Sequence, residues 1–237
     1  MKFLASLAAA TAFAVAASSA DLGELIFSDD FNRDEPQEQT DDPGNGWGTN
    51  SKSRAQGDKQ VDLKDGAMRI RISPRANHAV SVTHPAEFAD GAVALRFMLE
   101  DENDSLGLDF ADLQCKEVHA GHLFLAKVGT KEVQLVDHKT GGMRNDIRDA
   151  RAEKKKLTPE QQQALAGKTT KAALLTETGK WHDLLVTVGG DELTVSVDGK
   201  PAASLRSPGI AHPTKRLLRL SVPRNAVVDD VRIWRKR

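Results

Sequence analysis

Alternation constrains this chain more than any other feature. "AMRIRI" places Met68, Ile70 and Ile72 on one side of an extended backbone and Arg69 and Arg71 on the other, and "GAVALRFML" does the same with Val93, Leu95, Phe97 and Leu99. Successive side chains of a strand point to opposite faces, so a period of two marks strands with one buried face. "HDLLVTV", "DELTVSVDGK", "RLLRLSV" and "AVVDDVRIW" carry the pattern to the C-terminus. Asp198-Gly199 and Asp65-Gly66 sit between such runs as two-residue turns, which need positive φ at both positions. About a dozen strands with almost no helical periodicity predict an all-β chain, built as a two-sheet antiparallel sandwich or barrel.

One segment departs from the pattern. "LTPEQQQALAG" predicts one short helix near 158–166, with Thr158 as N-cap, Pro159 at the first helical position, Gln161 closing a capping box and Gly167 as the stop. The preceding "RNDIRDARAEKKK" reads as a solvated excursion between strands.

The N-terminus sets the expected compartment. Lys2, the apolar run "FLASLAAATAFAVAA" and the small residues "SSA" ending at Ala20 have the layout of a secretory signal peptide over 1–20, cleaved before Asp21. The run is short and alanine-rich for a membrane span, so a secreted or periplasmic protein without membrane insertion is expected. Residues 21–237 are long enough to bury a sizeable core as a single domain. One cysteine, Cys115, excludes an intramolecular disulfide, and it reads as a small packed residue. A net charge of −1 gives no reason to propose nucleic acid as partner.

The opening "FSDDFNRDE" with "GNGW", the "DGAMRI" strand, the "GKWHDLLVTVGGDELTVSVDGK" hairpin and the closing "VDDVRIW" together resemble secreted bacterial jelly-roll domains. These belong to the concanavalin A-like lectin and glucanase superfamily, and the similarity is closest to the 3-keto-disaccharide hydrolase type, with laminin-G-like domains sharing the strand grammar. The resemblance covers nearly all of 21–237. It implies a jelly roll with the first and last strands paired and a concave sheet that holds an oligosaccharide or polysaccharide. It also implies a carbohydrate-active protein of the glycoside-hydrolase kind, with a non-catalytic glycan-binding or surface-interaction module as the alternative. A structural calcium ion at the terminal-strand seam follows from the same resemblance, with Asp229 as its carboxylate ligand where Asp29-Asp30 and Asp229-Asp230 meet. The Glu-x-Asp-x-x-Glu strand of the family 16 glucanases is absent, so their retaining chemistry is not implied. No tyrosine and only Trp47, Trp181 and Trp234 are present to stack on sugar rings, which weakens a lectin reading.

Chemistry concentrates in "KEVHAGHLFLAKVGTKEVQLVDHKTGGM", residues 116–143. It holds two strands, "HLFLAKV" and "EVQLVD", after a third, "SLGLDF". The candidate catalytic residues are Asp109, His119, His122, Asp137 and His138, with Lys139 as a substrate contact. Three readings stay open. Asp109, Glu117 or Asp137 could supply acid and base with a histidine moving the proton. His119 and His122 could bind a metal with Asp109 or Asp137, but on a regular strand they face opposite sides and only a bend at Ala120-Gly121 lets them converge. The histidines could also simply cap strand ends. A second candidate is the loop "SPGIAHPTK", which presents His212 and Lys215 for substrate binding.

Overall fold

The computed structural model describes residues 22–236, so the expected signal peptide lies outside the described residues. In chain order the strands are β1 (Glu24–Asp29), β2 (Gly48–Thr49), β3 (Val61–Lys64), β4 (Ala67–Arg71), β5 (Val80–Phe88), β6 (Gly91–Met98), β7 (Ser105–Ala111), β8 (His122–Gly129), β9 (Glu132–Asp137), β10 (Thr169–Ala173), β11 (His182–Gly189), β12 (Glu192–Val197), β13 (Lys200–Arg206), β14 (Lys215–Val222) and β15 (Asn225–Arg235). One sheet runs β13-β12-β11-β6-β15-β4-β3 and the other β10-β9-β8-β7-β14-β5-β2. The described pairings are antiparallel, and the two sheets form a jelly-roll sandwich.

The alternation becomes packing. Phe97 from the first sheet and Leu106, Leu108, Phe110, Phe124 and Leu135 from the second are all buried between the sheets, with the Phe110 and Phe124 rings stacked at 4.8 Å. Each such side chain contributes about 1.5–3 kcal/mol by leaving water. The turns are those expected: Asp65 and Gly66 have φ of 57° and 69°, and Asp198 and Gly199 of 51° and 72°.

β15 is the spine of the first sheet. Its first half pairs with β4 and its second half with β1, so the first and last strands are joined as the resemblance implies. Between the halves the register against β6 shifts from Asp229 to Arg232, with Asp230 at φ 51°.

Among the described residues three α-helical pieces interrupt the strands: α1 (Ser51–Arg54), α2 (Asn145–Ala152) and α3 (Pro159–Leu165). α3 is the expected helix, with both arms of the Thr158–Gln161 capping box formed. α2 lies in the segment read as a solvated excursion between strands, and it adds a helix to the one expected there. Its only buried residue is Ile147, and its first residue is tied down through Asn145, whose backbone N–H donates to Glu117 O and whose side-chain amide donates to Lys116 O. One apolar anchor in two turns leaves no periodic signal to read.

Candidate functional site

The outer face of the second sheet is a polar floor. One row across it reads Thr83, Arg219, Asp109, Leu125, Val136 and Thr169, and the next reads Ser81, Ser221, Gly107, Lys127, Gln134 and Lys171. β7 lies in the middle and is buried along its whole length, including its outward Ser105, Asp109 and Ala111. Longer side chains from β8 and β14 therefore crowd over it.

At one end of this floor the structure brings together four of the five catalytic candidates. The alternation of Leu106, Leu108 and Phe110 turns Asp109 outward. His122 reaches the same face through a bulge: Phe110 pairs with Phe124, but Ala111 pairs with His122 rather than Leu123. Without the extra residue, the parity of Leu125 and Lys127 would point His122 into the core. His119 arrives by the bend that convergence requires. Residues His119–Gly121 form a 3₁₀ turn with Ala120 at φ 49° and Gly121 at φ 71°. Only glycine fits at Gly121, since a Cβ there would lie 2.3 Å from Asp112 O. His138 follows β9 with outward parity. The His119 and His122 rings are 6.3 Å apart, and those of His122 and His138 are 5.9 Å apart.

The electrostatics single out His122. Its Nδ1 and the Asp109 carboxylate form a short hydrogen bond. Arg219, a residue the sequence reading did not nominate, donates from one guanidinium nitrogen to Ala120 O at 2.6 Å and sets the other 3.5 Å from Asp109 and 3.2 Å from His122 Nδ1. This guanidinium keeps Asp109 beside a positive charge and pins the strained turn. With Nδ1 committed to Asp109, His122 Nε2 is the ring nitrogen left to act. Burial, then the positive charge of Arg148, lowers the pKa of His119; burial also lowers that of His138. Neither ring has a nitrogen in a hydrogen bond among the described residues.

The remaining candidates do not join the cluster. Asp137 shares the core-facing parity of Val133 and Leu135 and is fully buried. Its carboxylate accepts from the Thr140 and Ser207 hydroxyls, from Thr140 N at 2.9 Å and from Gly209 N at 3.0 Å. Burial pushes its pKa up, and the hydrogen bonds outweigh that and lower it. It ties the 207–214 loop to β9. Lys215, expected to contact substrate, points inward: it is 1% exposed and donates to Ala89 O and to His212 O at 2.9 Å. Burial lowers its pKa to about 8. His212 binds Asp112 at 3.1 Å through Nε2, and Asp112 also accepts from Arg216 at 2.7 Å. Lys139 is half-buried and close enough to Lys215 to repel its charge.

Two other regions bear on ions and clefts. A cleft of about 560 Å³ lies at the β3–β4 end of the first sheet, away from the histidines, and one of about 160 Å³ lies at the far end of the polar floor beside Lys127 and Gln134. Beside the larger one, Glu35, Glu38 and Asp62 are spaced closely enough to hold a metal ion, and the Lys59 ammonium lies among them at 2.5–2.7 Å. At the terminal-strand seam, Asp229 faces Arg96 at 3.4 Å and accepts from Asp230 N at 2.7 Å.

No family model matches the sequence, and no curated protein matches it. Solved structures do. The chain is similar to the laminarinase from Rhodothermus marinus, with 13% identity and a TM-score of 0.58 over 90% of this chain and 97% of that one. It is similar to the laminarinase from Flavobacterium sp. UMI-01, with 10% identity and a TM-score of 0.57 over 89% and 100%. It is also similar to the carbohydrate-binding module CBM66 from Bacillus subtilis, with 13% identity and a TM-score of 0.52 over 78% and 93%. The fold is that of the concanavalin A-like jelly rolls.

Proposed function

We propose that this is an exported carbohydrate-active protein that lays an oligosaccharide across the outer face of the second sheet. We assign it a hydrolytic reaction of the 3-keto-disaccharide hydrolase type, in which His122 Nε2 handles the proton. The observation that carries the reading is the Asp109–His122–Arg219 group: an imidazole oriented through Nδ1 by a carboxylate, itself held by a guanidinium, beside a row of polar side chains. An aspartate in this position fixes the tautomer and stabilises the imidazolium that forms on proton transfer. The shared fold of the laminarinases supports a glycan as ligand. Purified protein screened on 3-keto-glycosides and β-glucans should release products, and His122→Ala should lower the rate about a hundredfold to ten-thousandfold with the fold intact. Full specific activity in that variant would overturn the assignment.

A glycan-binding module without catalysis is the second reading. It is favoured by the likeness to CBM66 and by Asp137 being turned inward, which takes one expected carboxylate away from Asp109. Binding of a glycan with no product released from any substrate would select it. Export itself is checked by mass spectrometry of the secreted chain, whose N-terminus should fall at or near Asp21.

A further inference from the structure

The segment between β9 and β10 carries charge that neither the sandwich nor the proton-handling group uses. Over residues 138–156 it holds seven lysines and arginines against three carboxylates, in a chain whose net charge is −1, so the positive surplus is local. The backbone fastens this segment to the histidine turn. Val118 and Arg144 form a β-bridge, His119 N donates to Met143 O at 2.9 Å and Met143 N donates to His138 O at 3.1 Å. α2 thereby stands beside His119, with Arg148 near enough to disfavour a proton there. The three carboxylates are spent inside the segment, Asp146 on Arg144 at 3.0 Å, Asp149 on Arg148 at 3.0 Å and Glu153 on Lys155. Exposed pairs of this kind are weak, and an anionic ligand can replace them. Lys139, Arg151, Lys154 and Lys156 have no carboxylate partner among the described residues. Arg151 is turned back over the 141–142 turn, its Nη1 only 3.1 Å from where a Cβ on Gly142 would lie.

The polar floor repeats the imbalance. Its outward carboxylates are matched already: Asp109 by Arg219, Glu132 by Lys171 at 2.9 Å, and Asp112 by Arg216 at 2.7 Å, with Glu87 a further 3.9 Å neighbour of that arginine. Lys127, half-buried in the middle of the floor, has no partner, and the exposed Glu117 is the free carboxylate that stands against these cations. Aromatic platforms are missing here. Trp47 packs against Phe27 and Phe31, Trp181 lies under Arg96 of the first sheet and Trp234 sits on β15.

We propose that the glycan laid across the second sheet is acidic, bearing carboxylate or sulfate groups, and that Lys127, Lys139, Arg148 and Arg151 hold those groups. This names the ligand class of the same face and rests on the glycan reading of it. Arg148 and Arg151, three residues apart, are neighbours on the helix surface. Their planar forks match the paired oxygens of a carboxylate or sulfate, while the lysines act as point charges. Charge thus takes the place that ring stacking holds where sugars lie on tryptophan.

Equilibrium binding of the exported protein to a polyuronate, a sulfated galactan, a neutral β-glucan and polyglutamate tests it. At least one acidic glycan should bind about tenfold or more tighter than the β-glucan, and the two acidic arms show which anion is preferred. The affinity should fall as salt rises from about 0.01 M to about 0.1 M, where the screening length shrinks from about 30 to about 10 Å. Lys127→Gln, Arg148→Gln and Arg151→Gln should each weaken binding about two- to fivefold, and together about tenfold or more, with melting temperature unchanged. Lys200→Gln, on the hairpin of the first sheet, should leave binding unaltered. Tight, salt-insensitive binding of the β-glucan alone would overturn the proposal and keep the glycan reading. Acidic-glycan binding that survives the triple change would also overturn it, as would equal capture of polyglutamate, which marks a surface for any polyanion. Binding of no glycan at all would end both.

Discussion

Where β1 meets β15, Asp29 accepts from Phe31 N at 3.0 Å, from Trp47 Nε1 at 2.8 Å and from both terminal nitrogens of Arg33. At the open end of the second sheet, the ring nitrogens of His119 and His138 make no hydrogen bond among the described residues. Both regions gather ionisable groups and both sit at strand ends. The difference lies in satisfaction. Buried polar groups are expected to be paired, and a group whose bonding capacity is filled by the protein has none left for a ligand. Asp29 is therefore a rivet, whereas the histidine cluster is poised for something else.

Paired substitutions would sharpen this contrast most. Alanine at His122 should remove about a hundredfold or more of activity and leave the melting temperature nearly unchanged. Asp29→Ala should do the reverse, lowering stability by about 3 kcal/mol, the low end for breaking a buried ion pair, because Arg33 is partly exposed and can rehydrate. Burial raises the Asp29 pKa, but Arg33 and the N–H donors outweigh that and lower it. Its contribution is thus present above the unfolded value of 3.8 and is lost as pH falls through the lower folded value. Urea titrations at pH 7 and pH 3 measure it. If Asp29→Ala kept full stability while losing activity, the contrast would be drawn the wrong way round.

Lys215 offers a second satisfied site with an opposite sign. Its pKa falls from 10.5 to about 8 because burial disfavours the ammonium. Below pH 8 both states carry the charge and folding bears the full cost; above 10.5 neither does. Between these values the unfolded chain binds more protons, so stability rises with pH, by on the order of 3 kcal/mol. Lys215→Met should abolish the rise, and an equal slope in wild type and variant would refute the assignment.

These sites also show how far the residues could be read before folding. Asp109 was legible because Leu106, Leu108 and Phe110 fix its parity on a regular strand, and α3 was legible because a capping box is a local device. The burial of Asp137 is legible too, because Val133 and Leu135 share its parity on β9. His122 could not be assigned to a face, because the bulge at Leu123 reverses the parity of "HLFLAKV" and leaves no mark in composition. Arg219 was out of reach for a different reason: it meets Asp109 across 110 residues of chain, and only the β14–β7 pairing creates that neighbourhood. Local grammar survives in the sequence, whereas a charge cluster assembled by strand order does not.

The smallest expected effect concerns the other half of the seam. Burial, with the charges of Asp230 and Asp30, raises the pKa of Asp229, while the hydrogen bond from Asp230 N and the charge of Arg96 at 3.4 Å only partly oppose it. A raised carboxylate pKa means that folding loses stability as pH climbs through the folded value, so a neutral Asp229→Asn should be more stable than wild type at pH 7. A calcium ion at Asp229 would relieve the same excess of negative charge. At ten times its Kd the ion would add about 1.4 kcal/mol, or about 3–6 °C in Tm for a chain of this size. Arg96 is the competitor for that carboxylate, and it is held elsewhere as well, lying 4.8 Å over the Trp181 ring. Arg96→Met should therefore enlarge the calcium response, and Asp229→Ala should erase it. Chelated wild type and Arg96→Met that both ignore calcium would show that the seam takes no ion even when its carboxylate is released from the arginine.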